Sequence, residues 1–238
     1  MFELNIQKNW IDALYARSSV RQYTSAPDKA QLDKLGETCR KLSWQGVKIR
    51  MFKGPGLKSQ IKGTDVYAVI IAKRGTPMEV EGFMGEALVL EATAMGLGTC
   101  WLGAGFYPDI INRNVDLQTD EAVHCVISIG KANLPAFAPK RKELEKVCGM
   151  NEEQLAQLGA WQKEAVLAAR LAPSAINQQP WKIAADKTSV SILETTVLYK
   201  KYAPLDRGIC MLHAAVGAAK ARRTAIWKKV DGGYAMKA

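Results

Sequence analysis

"APSAINQQPW" occupies residues 172–181. Two prolines, Pro173 and Pro180, bracket Ser174, Asn177, Gln178 and Gln179, and Trp181 comes at once after them. The stretch comes directly after the apolar run EAVLAARLA (164–172). Proline fixes φ and removes a backbone donor, so the helix implied by that run cannot continue through it. An ordinary helix-to-strand connection needs fewer constraints than this. The residues suit either a well-capped turn or a loop that holds a flat, polar-edged ligand. Taken alone, the stretch leaves both readings open.

Working outward, residues 160–171 and 151–157 precede the loop as helices, and strands near 181–194 come after it. A helix near 205–223 and a last strand around 224–236 close the chain. Towards the N-terminus, NWIDALYA (9–16) reads as a short helix with Trp10, Ala13 and Leu14 on one face. Ser25-Ala26-Pro27-Asp28 starts a second helix, with Pro27 in its first turn and Asp28 near the positive dipole end, running to about Leu42. KIRMFK (48–53) and VYAVIIAK (66–73) read as strands. A helix over about Met78–Leu97 is apolar almost all round in its later part, which predicts burial. A short strand lies in TCWLGAGF (99–106), and VHCVISIG (123–130) has the continuous apolar character of a strand covered on both faces. KANLPAFAPKRKELEKVCGM (131–150) is a polar, proline-punctuated bridge. Gly85 opens GEALVLEATAMG and Gly208 opens GICMLHAAVGAA, a weak repeat between two small-residue-rich helices.

Composition narrows the function class. The 238 residues are 48% hydrophobic and 24% charged, as in a soluble globular protein of one or two domains. The first 19 residues lack a basic segment followed by an apolar one, so no secretory signal is expected. No apolar run reaches the roughly 20 residues of a membrane span. Five widely spaced cysteines without a CxxC pair argue against a disulfide framework or zinc site, and a reducing cytoplasm fits best. His124 and His213 sit in apolar stretches and read as structural. The net charge of +10 invites a nucleic-acid reading, but the basic residues are scattered and no recognition motif is present. A basic surface still attracts anions such as phosphates and dinucleotides.

Three further segments carry chemistry-bearing residues. Arg17-Ser18-Ser19-Val20-Arg21 places two guanidiniums four residues apart with hydroxyls between them, a set suited to phosphate or to a solvated helix end. GLGTCWLGAGF (96–106) offers glycines at which backbone can approach a ligand, without a dinucleotide or P-loop fingerprint. In PKRKELEKV (139–147), Arg141 begins a short helix and is placed to reach a phosphate or to stay solvated. No nucleophile–base pair, carboxylate pair or metal cluster is legible. A chain without such groups relies on an organic cofactor if it is an enzyme.

These segments together resemble the flavin-dependent nitroreductases. RSSVRQY (17–23) is similar to their N-terminal RRSVRxF-type motif, and APSAINQQPW closely resembles their PSxxNxQPW motif. EATAMGLGTCWLGAGF (91–106) resembles their central helix and the loop after it, and PKRKELEKV their phosphate-side arginine segment. The order departs from the family: the PSxxN loop should come a few tens of residues after the arginine motif, yet LSWQGVKIRMF (42–52) stands there. Nitroreductases are homodimers with FMN at the subunit interface, so fusing two subunits permits each half to lose one share of a site. The chain therefore resembles the fused-pseudodimer branch, the TM nitroreductase type.

That resemblance implies an internally duplicated α+β fold, mainly antiparallel sheet with flanking helices. Half one spans 1–148 on the FMN phosphate side, and half two spans 149–238 with the ring-side loop. It implies one FMN in the cleft between the halves. Arg17, Ser18, Ser19, Arg21 and Arg141 would hold the phosphate and ribityl side, with Arg21 alternatively at the polar ring edge. Pro173, Ser174, Ala175 and Asn177 would border the isoalloxazine, and backbone at Leu102, Gly103 and Ala104 would approach N5. No side chain is expected to be catalytic and no metal is expected. NAD(P)H would reduce FMN, and a nitroaromatic, quinone or similar small electron acceptor would reoxidise it, by ping-pong turnover. Neither nucleic acid nor membrane is an expected partner. A monomeric pseudodimer is expected, with further dimerisation open. The rival readings are a non-catalytic flavin-binding or sensor protein and a related flavoenzyme activity such as reductive dehalogenation.

Overall fold

The computed structural model describes residues 4–44, 46–133, 140–224 and 226–237. The chain divides into two units, one of residues 16–138 and one of Met1–Tyr15 with Pro139–Ala238. These bounds lie ten residues before the expected division at 148/149. Helix α5 (Leu144–Cys148) packs on strand β5 (Trp181–Ala185) and helix α7 (Ala160–Arg170), so these residues belong to the unit that holds the C-terminal half of the chain. Helix α1 (Asn9–Ala16), with Trp10, Ala13 and Leu14 buried, falls almost wholly in that same unit. The proline-punctuated stretch at 134–139 lies outside the described residues.

In the 16–138 unit, helix α2 (Lys29–Leu42) starts from Asp28 itself. Its carboxylate accepts Gln31 N–H at 3.0 Å while the Gln31 side chain accepts Asp28 N–H. Pro27 thus precedes the cap rather than occupying the first turn, because Asp28 supplies the oxygen that the orphan amides need. Strands β1 (Val47–Lys53), β2 (Val66–Lys73), β3 (Gly98–Leu102) and β4 (Glu121–Gly130) form an antiparallel sheet in the order β1-β2-β4-β3. Helix α3 (Met78–Ala94) crosses from β2 to β3 and is buried from Glu79 through Ala92, as its all-round apolar sequence predicts. It stops three residues short of the expected Leu97. Met95 closes it and Gly96, at φ 74°, turns the chain towards β3. A short helix α4 (Pro108–Asn114), unforeseen from sequence, joins β3 to β4.

Apolar residues from β2, β3, β4, α4 and the 20–23 segment make one core, including Val20, Tyr23, Tyr67, Val69, Ile71, Leu102, Ile111 and Val126. Gly85 on α3 admits the Trp101 ring where a Cβ would stand 2.3 Å from Cη2. In the β2–β4 pairing, Ile70 faces Cys125 and Ile71 faces Val123, so His124 bulges out of register. Its Nδ1 lies 2.8 Å from Oε1 of the buried Glu81.

The second unit contains α5, α6 (Glu152–Ala156) and α7. A single 3-10 turn (Ala175–Asn177) comes next, then β5, β6 (Ser189–Glu194), α8 (Ala203–Lys220), β7 (Ile226–Val230) and β8 (Gly233–Lys237). Its antiparallel sheet has the order β5-β6-β8-β7. The last strand read from sequence is instead a β7–β8 hairpin, turned at Asp231-Gly232 with Gly232 at φ 68°. Helix α8 is buried along most of its length. It meets α7 so closely that a Cβ on Gly217 would lie 2.3 Å from Glu164 O and 2.7 Å from Ala168 Cβ. Both units run helix, two strands, buried helix, two strands, with the same strand order. Among the described residues, no helix is long and apolar enough to cross a membrane.

Candidate functional site

In the 16–138 unit the chain beyond Arg17 runs extended along the exposed edge of the sheet. Val20 N–H donates to Thr99 O at 2.8 Å on edge strand β3. Lys62 N–H donates to Arg21 O at 2.9 Å, and Tyr23 N–H donates to Lys62 O at 2.8 Å. The segment satisfies the backbone of the edge strand, and alternation then sorts its side chains. Ser18, Val20 and Tyr23 turn inward, while Arg21 and Gln22 are exposed. Tyr23 OH and Ser128 Oγ lie 2.8 Å apart, and burial pushes the phenol above its ordinary pKa.

The two arginines differ. Arg17 is buried, with Nε 3.9 Å from Oε1 of Glu86 on α3. Burial lowers its pKa, and Glu86 and Cys100 oppose that shift. Glu86 also accepts the Trp101 indole N–H at 2.7 Å. Arg17 Nε and Ser18 Oγ are buried without a hydrogen-bond partner among the described residues. Such orphaned donors fit an anion that brings its own oxygens. The residues that come next in sequence line a cavity of about 470 Å³: Ser19, Val20, Arg21, Gln22, Tyr23 and Thr24, with Asn133. Leu102 ends β3 and is buried, Gly103 is half-buried and Ala104 is exposed. The structure thus gathers Arg17, Ser18, Ser19 and Arg21 with β3 in one unit.

Arg141 belongs to the other unit. It precedes α5, which begins at Leu144, and its Nη1 donates to Asn177 Oδ1 at 2.9 Å and its Nε to Leu171 O at 3.2 Å. The reading of Arg141 as a half-one residue at the start of a helix is corrected: its guanidinium braces the 172–181 loop. Asn177 Nδ2 donates to Lys140 O at 3.0 Å, so the amide side chain is engaged at both ends. Ser174 Oγ accepts Gln179 N–H at 2.8 Å, closing the turn on itself. Gln179 is buried and accepts Lys142 N–H at 2.9 Å, and Lys142 Nζ donates to Gln178 O at 2.7 Å. The Gln178 amide pairs both ways with the Tyr199 backbone, at 2.9 and 3.0 Å. The two prolines flank a turn held almost wholly by side chains.

The sequence reading missed Asp206. It is buried on α8, and both its oxygens accept Ala175 N–H, at 3.0 and 3.1 Å. Burial raises its pKa to about 7, while the Ala175 amide and Arg207 pull it down. An acid in the first turn of a helix reads from sequence as a solvated dipole partner, and nothing local links it to a residue 31 positions earlier. None of the five cysteines is in a disulfide, and all are buried. For Cys39, Cys100, Cys148 and Cys210, burial raises the thiol pKa, which leaves little thiolate for nucleophilic work.

A family model described as "Putative TM nitroreductase" matches residues 9–218. The chain belongs to this nitroreductase family. A nitroreductase of Thermotoga maritima, solved as a crystal structure, is similar over 100% of this chain and 97% of its own, at 23% identity and TM-score 0.71. The nitroreductase α+β fold extends over the whole chain on that comparison. An FMN-dependent nitroreductase of Clostridium difficile matches 55% of this chain and 91% of its own, at 21% identity and TM-score 0.44. A nitroreductase with bound FMN from Desulfitobacterium hafniense matches 60% and 98%, at 14% identity and TM-score 0.47. No curated protein sequence matches.

Proposed function

We propose that this nitroreductase-family chain binds FMN and works as an NAD(P)H-dependent reductase of nitroaromatics, quinones or similar electron-poor acceptors. The observation that carries the reading is the pair of buried donors without a hydrogen-bond partner, Arg17 Nε and Ser18 Oγ, directly before Ser19 and Arg21, which line a cavity. Donors kept dry without an acceptor suit a phosphate, whose oxygens supply the missing partners. Arg21 is exposed at that cavity and adds a cation at its mouth.

When bound, FMN supplies the hydride chemistry, taking electrons from NAD(P)H and giving them to the acceptor. The chain's own residues do the rest. Arg17, Ser18, Ser19 and Arg21 hold the phosphate and ribityl side. The turn built from Pro173, Ser174, Ala175 and Asn177 presents a rigid edge to the ring. Backbone at Leu102, Gly103 and Ala104 would approach the reacting edge. Arg141 acts through Asn177, whose amide it holds.

The chain is an internal duplication in this reading. Its support is the shared element order of the two units and the shared 1-2-4-3 strand order of their sheets. It accounts for one arginine motif and one PSxxN loop per chain, and hence one FMN per monomer. Five buried cysteines without a disulfide suit a reducing, cytoplasmic setting.

Purified protein tests this directly. Its visible spectrum should show one flavin per chain. Anaerobic NADH or NADPH should bleach that spectrum, and a nitroaromatic should restore it. A colourless protein that takes up no FMN refutes the proposal, and bleaching without acceptor-dependent reoxidation favours a non-catalytic flavin sensor.

A further inference from the structure

Three residues of the 172–181 loop other than glycine sit in the left-handed region: Ile176 at φ 48°, Asn177 at φ 55° and Gln179 at φ 49°. Ile176 is the worst suited, because a β-branched side chain there crowds its own backbone. It is also 80% exposed, so no apolar packing offsets the strain. Backbone strain of this kind persists only where the surroundings over-determine it.

Several of the restraints are long side chains at the surface. Lys142 reaches the carbonyls of Gln178 and Gln179, and Gln178 pairs with Tyr199. Asp206 differs in kind. It is 2% exposed and stands on α8, a helix locked against α7 by the close approach at Gly217. Both its oxygens are spent on one backbone N–H, that of Ala175, the residue immediately before the left-handed pair. A buried carboxylate is a costly acceptor for a single amide, since a neutral oxygen would do the same without desolvating a charge.

We propose that Asp206 is the positioning residue of the loop: by gripping Ala175 N–H from a rigid helix it locks Ile176 and Asn177 in the left-handed backbone that shapes the surface offered to FMN. What the loop is shaped for rests on the flavin reading, and the anchoring rests on the geometry alone. Arg207, next in sequence and 3.9 Å from Glu194 on β6, moderates the carboxylate's burial without taking its place.

The test combines hydrogen exchange on the apoprotein with FMN titration, in the wild type and in D206A, D206N and A175P. D206A should speed exchange of the 175–179 amides by about tenfold or more, as the loss of a charge-assisted bond implies, with α8 and β5 as protected as in the wild type. It should weaken FMN binding about as much and alter the bound flavin's visible spectrum. D206N retains an acceptor oxygen and should restore both. A175P removes the donor while leaving the carboxylate, and should reproduce the D206A loop exchange; it decides the matter if D206A does not fold. Wild-type exchange over 175–179 in D206A or A175P overturns the anchoring. So does faster exchange spread through α8 and its sheet, or a D206N no better than D206A. Failure of the wild type to bind FMN overturns the flavin part alone, and the exchange comparison still decides the anchor.

Discussion

Replacing Asp206 by asparagine should stabilise the protein at alkaline pH and leave it almost unchanged in acid. The carboxyl pKa is raised from 3.8 to about 7, mainly by burial. The sign is opposite to that of an ordinary salt-bridged aspartate. Unfolded, the group loses its proton near pH 4. Folded, it holds that proton to about pH 7, so the folded state binds more protons between these values. Stability then falls as pH rises from about 4 to about 7, and stays low above. Three units at about 1.36 kcal/mol each give roughly 4 kcal/mol. The asparagine oxygen accepts Ala175 N–H without charge, a bond weaker by about 1 kcal/mol. The net gain at pH 8 is about 3 kcal/mol, or an increase in Tm of roughly 6–12 °C for a chain of this length. Asp28, Glu121 and Asp186 lie below their ordinary range through hydrogen bonds and nearby lysines, and give the opposite slope at lower pH. The difference between wild type and D206N cancels those contributions. Thermal unfolding of both apoproteins by circular dichroism at pH 4.5, 6, 7 and 8 provides the measurement. A Tm difference constant across that range, or a D206N less stable at pH 8, refutes the reasoning.

Four further outcomes are expected. Arg21→Ala should weaken FMN binding by roughly 10- to 100-fold in a fluorescence titration with little change in apoprotein Tm, since Arg21 is exposed and gives up about 1.5–3 kcal/mol of charge-assisted bonding. Arg17→Ala should cost affinity and about 3 kcal/mol of stability together, because it removes the cation beside buried Glu86; a loss of affinity alone would place Arg17 outside the ion pair. Asn177→Ala should remove Arg141's bond to the loop amide and change both the rate of flavin reduction by NAD(P)H in stopped flow and the FMN affinity, and unchanged kinetics would put the loop away from the ring. Gly217→Val should lower Tm through overpacking of about 1–3 kcal/mol, since its Cβ would meet Glu164 O; an unchanged Tm would mean that α7 and α8 can part without cost.

Much of the fold was legible because it is written in local periodicity. The β2 strand at 66–73 and the helix at 9–16 stand where the apolar pattern puts them, and α3 is buried as its composition requires. The features that escaped are non-local. The family resemblance puts Arg141 with Arg17 on the phosphate side, and no local pattern reveals its hydrogen bond to Asn177, 36 residues later. Glu86 completes the surroundings of Arg17 from the middle of an apolar helix, where sequence marks it only as an interruption. Asp206 carries no sequence signal at all, because an acid one turn into a helix has an ordinary explanation.

The two units differ in one connection, and the difference supports the proposed role of the 172–181 loop. Each has a connection from the helix before its first strand into that strand. In the 16–138 unit it takes residues 43–46, and Trp44 and Val47 exchange both backbone hydrogen bonds across it, at 2.8 and 2.9 Å. In the other unit it takes residues 171–180, places three non-glycine residues in left-handed backbone, and draws on Arg141, Lys142, Tyr199 and Asp206 to hold them. A shorter connection in the same slot, closed by the Trp44–Val47 pair, joins helix to strand in the first unit. The longer one costs backbone strain, a buried carboxylate and several ordered side chains, and none of that is needed to close the connection. If the units descend from one ancestor, the slot was free to relax in the first and was held in the second by the work of the loop. On the proposed flavin reading, the anchors of the 172–181 loop, more than its exposed polar tips, are the residues whose loss should be felt in flavin binding.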